Sequence, residues 1–114
     1  MLEGLFGNRS LERVLFYLYA YQRGYPRGMA RDLGTSLRPV VVQLNKLEGA
    51  GIVFSRLEGK TRLYEFNPGY PMLDVLKQLL EKAMTFLPEK ERRLRYEKRT
   101  RPRRAGKPGI PQGR

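Results

Sequence analysis

Gly34 constrains this chain more than any other residue. It separates two short stretches of helical apolar spacing, Met29, Ala30 and Leu33 before it and Val40, Leu44 and Leu47 after it. Spacings of three and four put each set on one helical face. Gly34 stops the first helix and Ser36 caps the second. Pro39 is tolerated there because the first helical turn needs no backbone donor. The turn Leu33-Gly34-Thr35-Ser36 therefore predicts two helices held at a steep angle.

The flanking residues extend this pattern. Upstream, Asn8 caps a helix running to about residue 23, with Leu11, Val14, Leu15 and Leu18 on one face. Gly24, Tyr25 and Pro26 break it, and the second helix covers about residues 27–33. Downstream, Gly49 and Gly51 close the third helix. Strands are predicted over 52–57 and 61–66, around a Glu58-Gly59-Lys60 turn, and Asn67-Pro68-Gly69 ends the hairpin. A fourth helix over about 71–87 carries Leu73, Leu76, Leu80, Met84 and Leu87, and Met72, Val75, Leu79, Ala83 and Phe86 widen its apolar surface. Pro88 kinks or stops the chain, and residues 89–99 read as a charged helical extension. The expected fold is mainly α with a small β-hairpin (α+β), in the order of a winged helix-turn-helix: a three-helix core, a wing and a C-terminal dimerisation helix.

At 114 residues the chain has room for one core, assigned to residues 1–88, with 89–114 as a basic extension and tail. The net charge is +12, and +8 of it falls from Glu89 onward. From Thr100 the chain is rich in Arg, Pro and Gly and too poor in apolar side chains to offset the entropy of ordering, so a disordered tail is expected. Such an excess calls for a polyanionic partner. Cys and His are both absent, which removes disulfides, thiolate and imidazole metal sites, Cys nucleophiles and His-dependent triads. The carboxylates Glu12, Asp32, Glu48, Asp74 and Glu81 are scattered over predicted helix surfaces, and no phosphate loop or nucleophile elbow occurs. Neither an enzyme nor a cofactor is expected. No signal peptide or membrane span is read, and a cytoplasmic, nucleoid-associated location is expected.

The stretch Met29-Ala30-Arg31-Asp32-Leu33-Gly34-Thr35-Ser36, followed by Val40, Leu44, Leu47-Glu48 and Ala50-Gly51-Ile52-Val53, resembles the ArsR-like winged-helix family. Residues 1–8 (MLEGLFGN), the wing Gly59-Lys60-Thr61-Arg62, the exit Phe66-Asn67-Pro68 and the tail Arg101-Pro102-Arg103-Arg104 look like a subgroup of small stand-alone prokaryotic regulators. The resemblance implies a homodimeric transcriptional regulator that binds double-stranded DNA. Metal-sensing members of the family use Cys, His and carboxylate clusters, so no metal is expected here. Whether a small-molecule effector acts is not legible.

The reading surface expected on the third helix is Ser36, Arg38, Val41, Val42, Asn45 and Lys46, with Gln43 on its flank. Arg38 suits guanine or a phosphate, and Asn45 suits adenine or a phosphate. Val41 and Val42 depart from the polar residues usual there and leave three roles open: thymine-methyl contact, a partner surface, or packing. Lys60 and Arg62 suit phosphate or minor-groove contact, and Arg56 is a weaker candidate on the strand. Arg101, Arg103 and Arg104 suit a nonspecific DNA tether, because proline keeps the backbone extended, though the sequence reads Thr-Arg-Pro where an AT-hook has Gly-Arg-Pro. Tyr17, Tyr19, Tyr21 and Tyr25 cannot all be core, which leaves packing and a ligand pocket open. A fourth helix apolar on two sides predicts a homodimer interface of Leu73, Leu76, Leu80, Met84 and Leu87, joined by Leu5 and Phe6 near the N-terminus. The competing reading is a winged-helix module that binds protein or RNA through the valine-bearing face and the basic tail. Membrane association through the tail ranks last, since no amphipathic helix with aromatic anchors accompanies it.

Overall fold

In the computed structural model, which describes residues 2–97, a single turn α1 (Glu3–Phe6) precedes helix α2 (Arg9–Tyr21). Asn8 caps α2, its side-chain oxygen accepting from the Leu11 amide at 2.6 Å. Replacing such a cap by Ala typically costs about 1 kcal/mol. Gln22 closes α2 in the left-handed conformation at φ 73°, its N–H donating to the Leu18 carbonyl.

The next residues form a strand rather than a plain break. β1 (Arg23–Gly24) pairs antiparallel with β3, Gly24 opposite Tyr64. Gly24 is required there, because a Cβ would lie 2.8 Å from both the Tyr17 ring and the Met29 side chain. Helix α3 (Pro26–Leu33) follows, with Pro26 in its first turn. Gly34 ends it at φ 70°, and the Thr35 amide donates back to the Ala30 carbonyl at 3.0 Å. Helix α4 (Leu37–Gly49) starts after Ser36, which occupies the cap position without a side-chain cap hydrogen bond. Gly51, at φ 78°, closes α4 in the same way, with Ile52 N–H donating to the Leu47 carbonyl at 2.9 Å.

Strands β2 (Val53–Glu58) and β3 (Thr61–Phe66) form the hairpin, Glu58 opposite Thr61, so the turn is the two residues Gly59-Lys60. The sheet order is β1-β3-β2, all antiparallel. Asn67 fixes the hairpin base, its amide nitrogen donating to the Gly51 carbonyl and its side-chain oxygen accepting from Gly69 N–H. Helix α5 (Leu73–Met84) is shorter than the 71–87 expected. Thr85, Phe86 and Leu87 each donate to the carbonyl three residues back, and this tight final turn ends the helix ahead of Pro88.

The core lies between α2, α3, α4 and the base of the sheet, with Leu80 and Ala83 of α5 closing one side. Each fully buried aliphatic side chain here contributes about 1.5–3 kcal/mol. The described residues therefore form an α+β structure of six helices and a small three-stranded sheet, compatible with a winged helix.

The charged stretch after Pro88 is not an appendage to this core. Short helix α6 (Glu89–Glu91) runs into a π-helical turn (Arg92–Tyr96) that ends with Tyr96 buried. The Tyr96 ring lies 5.6 Å from the Phe16 ring, Tyr21 donates to the Arg95 carbonyl at 3.0 Å, and Arg95 donates to the Leu33 carbonyl. The boundary expected at residue 88 therefore moves beyond Tyr96, because the strap supplies an aromatic to the core. Glu12 is also corrected: it is buried, not on a helix surface, and accepts from the Leu2 amide at 3.2 Å.

Candidate nucleic-acid interface

Helix α4 divides cleanly by face. Val40, Leu44 and Leu47 are buried as expected, and Gln43, expected on the flank, is buried with them. Ser36, Arg38, Asn45 and Lys46 are exposed on the other side. Val42 stands among them at 39% exposure, whereas Val41 is half-buried. The two valines thus part company: packing accounts for much of Val41 and not for Val42. Arg38, Asn45 and Lys46 make no side-chain hydrogen bond or ion pair among the described residues, so their polar ends carry no internal cost of release.

The hairpin is tied to α4 by a chain of side chains. Arg62 donates to the Ser55 hydroxyl at 2.9 Å, and that hydroxyl donates to the Glu48 carboxylate at 2.8 Å. Beneath them, burial and then the Glu48 charge push the Tyr64 phenol pKa up. Glu48 and Ser55 thus fix the hairpin's angle to the helix. Their positions were on view in the sequence, but nothing local signalled that they meet. Lys60, on the two-residue turn, is exposed and without an ion pair among the described residues.

Arg56 is occupied elsewhere. It pairs with Glu58 at 3.1 Å and Glu65 at 2.8 Å, and the hydrogen bond to Glu58 leads the upward shift of its pKa. Its charge is locally compensated, which leaves Lys60 and Arg62 as the hairpin cations facing outward. Arg101, Arg103 and Arg104 lie outside the described residues.

The expected dimer surface is rearranged. Leu80 is fully buried and Leu73 nearly so, both within the protomer's own core. Phe6, Leu76, Met84 and Leu87 also pack against that core. The reason is geometric: the stripe read from Leu73 is the inward stripe of α5. The residues that remain outside are Met72, Val75 at 57% exposure and Phe86 at 64%, with Leu5 exposed near the N-terminus.

Among the described residues no cluster of acidic side chains could hold a metal ion. No helix there is long and apolar enough to cross a membrane. Comparison of the chain with protein-family profiles, curated proteins and solved structures gives no match.

Proposed function

We propose that this chain is a winged helix-turn-helix transcriptional regulator of ArsR-like type, cytoplasmic and nucleoid-associated, that binds double-stranded DNA as a homodimer. One observation carries the reading. Helix α4 is anchored by Val40, Leu44 and Leu47 and holds Arg38, Asn45 and Lys46 outward without internal partners among the described residues. A helix so supported, beside a hairpin carrying Lys60 and Arg62, suits the major groove with phosphate contact alongside. The chain's +12 charge adds the nonspecific attraction such binding uses.

The tail fits the same reading. Arg95 is fastened to the carbonyl of Leu33, at the turn before α4. Arg101, Arg103 and Arg104, further along the chain, would add phosphate contacts as a nonspecific tether. The second copy joins through Val75 on the outer side of α5 with Met72 and Phe86 at its two ends, and two-fold symmetry sets two recognition helices about one DNA turn apart.

The exposed isopropyl of Val42 favours a second reading, a protein or RNA interaction module. Charge reversal separates the two. With Lys46→Glu, Lys60→Glu and Arg62→Glu combined, binding to duplex DNA disappears on the first reading. On the second, a valine-centred protein contact survives.

A further inference from the structure

Away from the α4 face, a cleft of about 360 Å³ opens between α2, α3, β1 and the hairpin. That is within the size range of small-molecule sites. Tyr17, Tyr21 and Tyr25 wall it, and Gly28 leaves it open by lacking a side chain. All three phenols spend their protons on the protein. Tyr17 donates to Asp32 at 3.0 Å, Tyr25 to Glu58 at 3.4 Å and Tyr21 to the Arg95 carbonyl at 3.0 Å. Toward the cleft they therefore offer aromatic surface and acceptor oxygens.

The charges around this aromatic wall are layered. The Asp32 side chain is only 14% exposed, whereas Glu58, which also lines the cleft, is 42% exposed and paired with Arg56. The guanidiniums lie further out. Arg31 is 77% exposed and touches Asp32 at 3.5 Å, a pair weak enough to re-aim, and Arg23 is exposed with no ion pair among the described residues. A pure cation would meet the two arginines at the rim, and a pure anion would meet the recessed Asp32 carboxylate. A molecule with a cationic end first and an anionic end last satisfies both layers, and an apolar body between them meets the tyrosines.

We propose that this cleft binds a small zwitterion with an aromatic body, of the size and charge pattern of an aromatic amino acid. Its ammonium faces Asp32, with Glu58 beside the site, and its carboxylate faces Arg23 and Arg31. Because α3 packs on α4 and Glu58 closes the hairpin turn, such a ligand ties helix α3 to the wing. Its action as an effector rests on the DNA-binding reading; its binding does not.

The test is a titration of the full chain, free of DNA, with L-phenylalanine, phenethylamine and 3-phenylpropionate, followed by backbone amide NMR. L-Phenylalanine should give saturable shifts at Gly24, Gly28, Asp32 and Glu58, and each half-ligand should bind about tenfold more weakly or worse. Arg23→Gln should weaken L-phenylalanine but not phenethylamine. Asp32→Asn, whose side-chain oxygen still accepts from Tyr17, should weaken L-phenylalanine but not 3-phenylpropionate. Gly28→Leu, on an open helical position, should fill the cleft and abolish all three while the spectrum stays folded. Absence of saturable shifts at these amides overturns the proposal, as does a half-ligand that binds as well as L-phenylalanine. Since no DNA is present, failure here is separate from failure of the DNA-binding reading.

Discussion

The Tyr96 ring packs against Phe16 with 5.6 Å between centroids and a 60° tilt, joining the last described turn to the middle of α2. Tyr96 is buried, so the contact closes the core from the C-terminal side. Tyr96→Ala should cost about 3–5 kcal/mol, the range for large aromatic truncations, and urea unfolding monitored by circular dichroism reads it. A loss below about 1 kcal/mol, the scale of an ordinary surface substitution, would show that the strap is dispensable.

The two faces of α5 should separate in their effects. Leu80→Ala removes a fully buried side chain and should destabilise by about 2–5 kcal/mol. Val75→Glu and Phe86→Glu sit on the exposed stripe and should leave the unfolding midpoint of the monomer nearly unchanged while abolishing the dimer. Light scattering at micromolar concentration checks this. A wild-type chain that runs as a 13 kDa monomer contradicts the dimer outright.

Much of this architecture was legible because it rests on local chemistry. Asn8 caps its helix through its own side chain, Gly34 and Gly51 stop theirs through backbone bonds only a few residues long, and the spacing of Val40, Leu44 and Leu47 fixes one helical face. β1 escaped notice because two residues carry no periodicity: Arg23 and Gly24 become a strand only through pairing with Glu65 and Tyr64. The strap escaped for a related reason. Arg92, Arg93 and Arg95 read as solvated charge, yet Tyr96 fills the core and Arg95 bonds a carbonyl 62 residues away. On α5 both apolar stripes were visible, but which one faced inward was decided by the packing of Leu80 and Ala83 under α2.

Alkaline pH should destabilise the fold through buried phenols. Burial, with the Asp32 charge second, pushes the Tyr17 pKa well above its usual value, and burial does the same for Tyr96. The unfolded chain releases these protons near pH 10, and the folded chain holds them to higher pH. The stabilisation is therefore fully present below about pH 10 and lost as pH rises toward the folded pKa values. Urea midpoints should fall from about pH 10 upward, and Tyr96→Phe should flatten part of that fall. An unchanged slope in Tyr96→Phe would exclude this phenol as a source.

The cations of the interface should differ in kind. Lys60→Ala and Lys46→Ala should weaken all duplexes alike, and each should reduce the salt slope by about 0.9 if it contacts one phosphate. Asn45→Ala should cost about 1–3 kcal/mol on the preferred site and little on other sequences. Arg56→Ala should change DNA affinity little, because its charge is already paired with Glu58 and Glu65. A large loss for Arg56→Ala would mean that its ion pairs open on DNA.

DNA binding as proposed requires α4 and the hairpin to act as one reading surface. It is tested most directly by fluorescence anisotropy of the full chain against duplexes from its own upstream region and against scrambled duplexes, over a salt series. Binding to upstream DNA should be tighter and persist at physiological salt, on a falling log–log salt dependence set by the phosphates contacted. Absence of binding to every duplex would contradict it and turn the exposed Val42 face toward a protein or RNA partner.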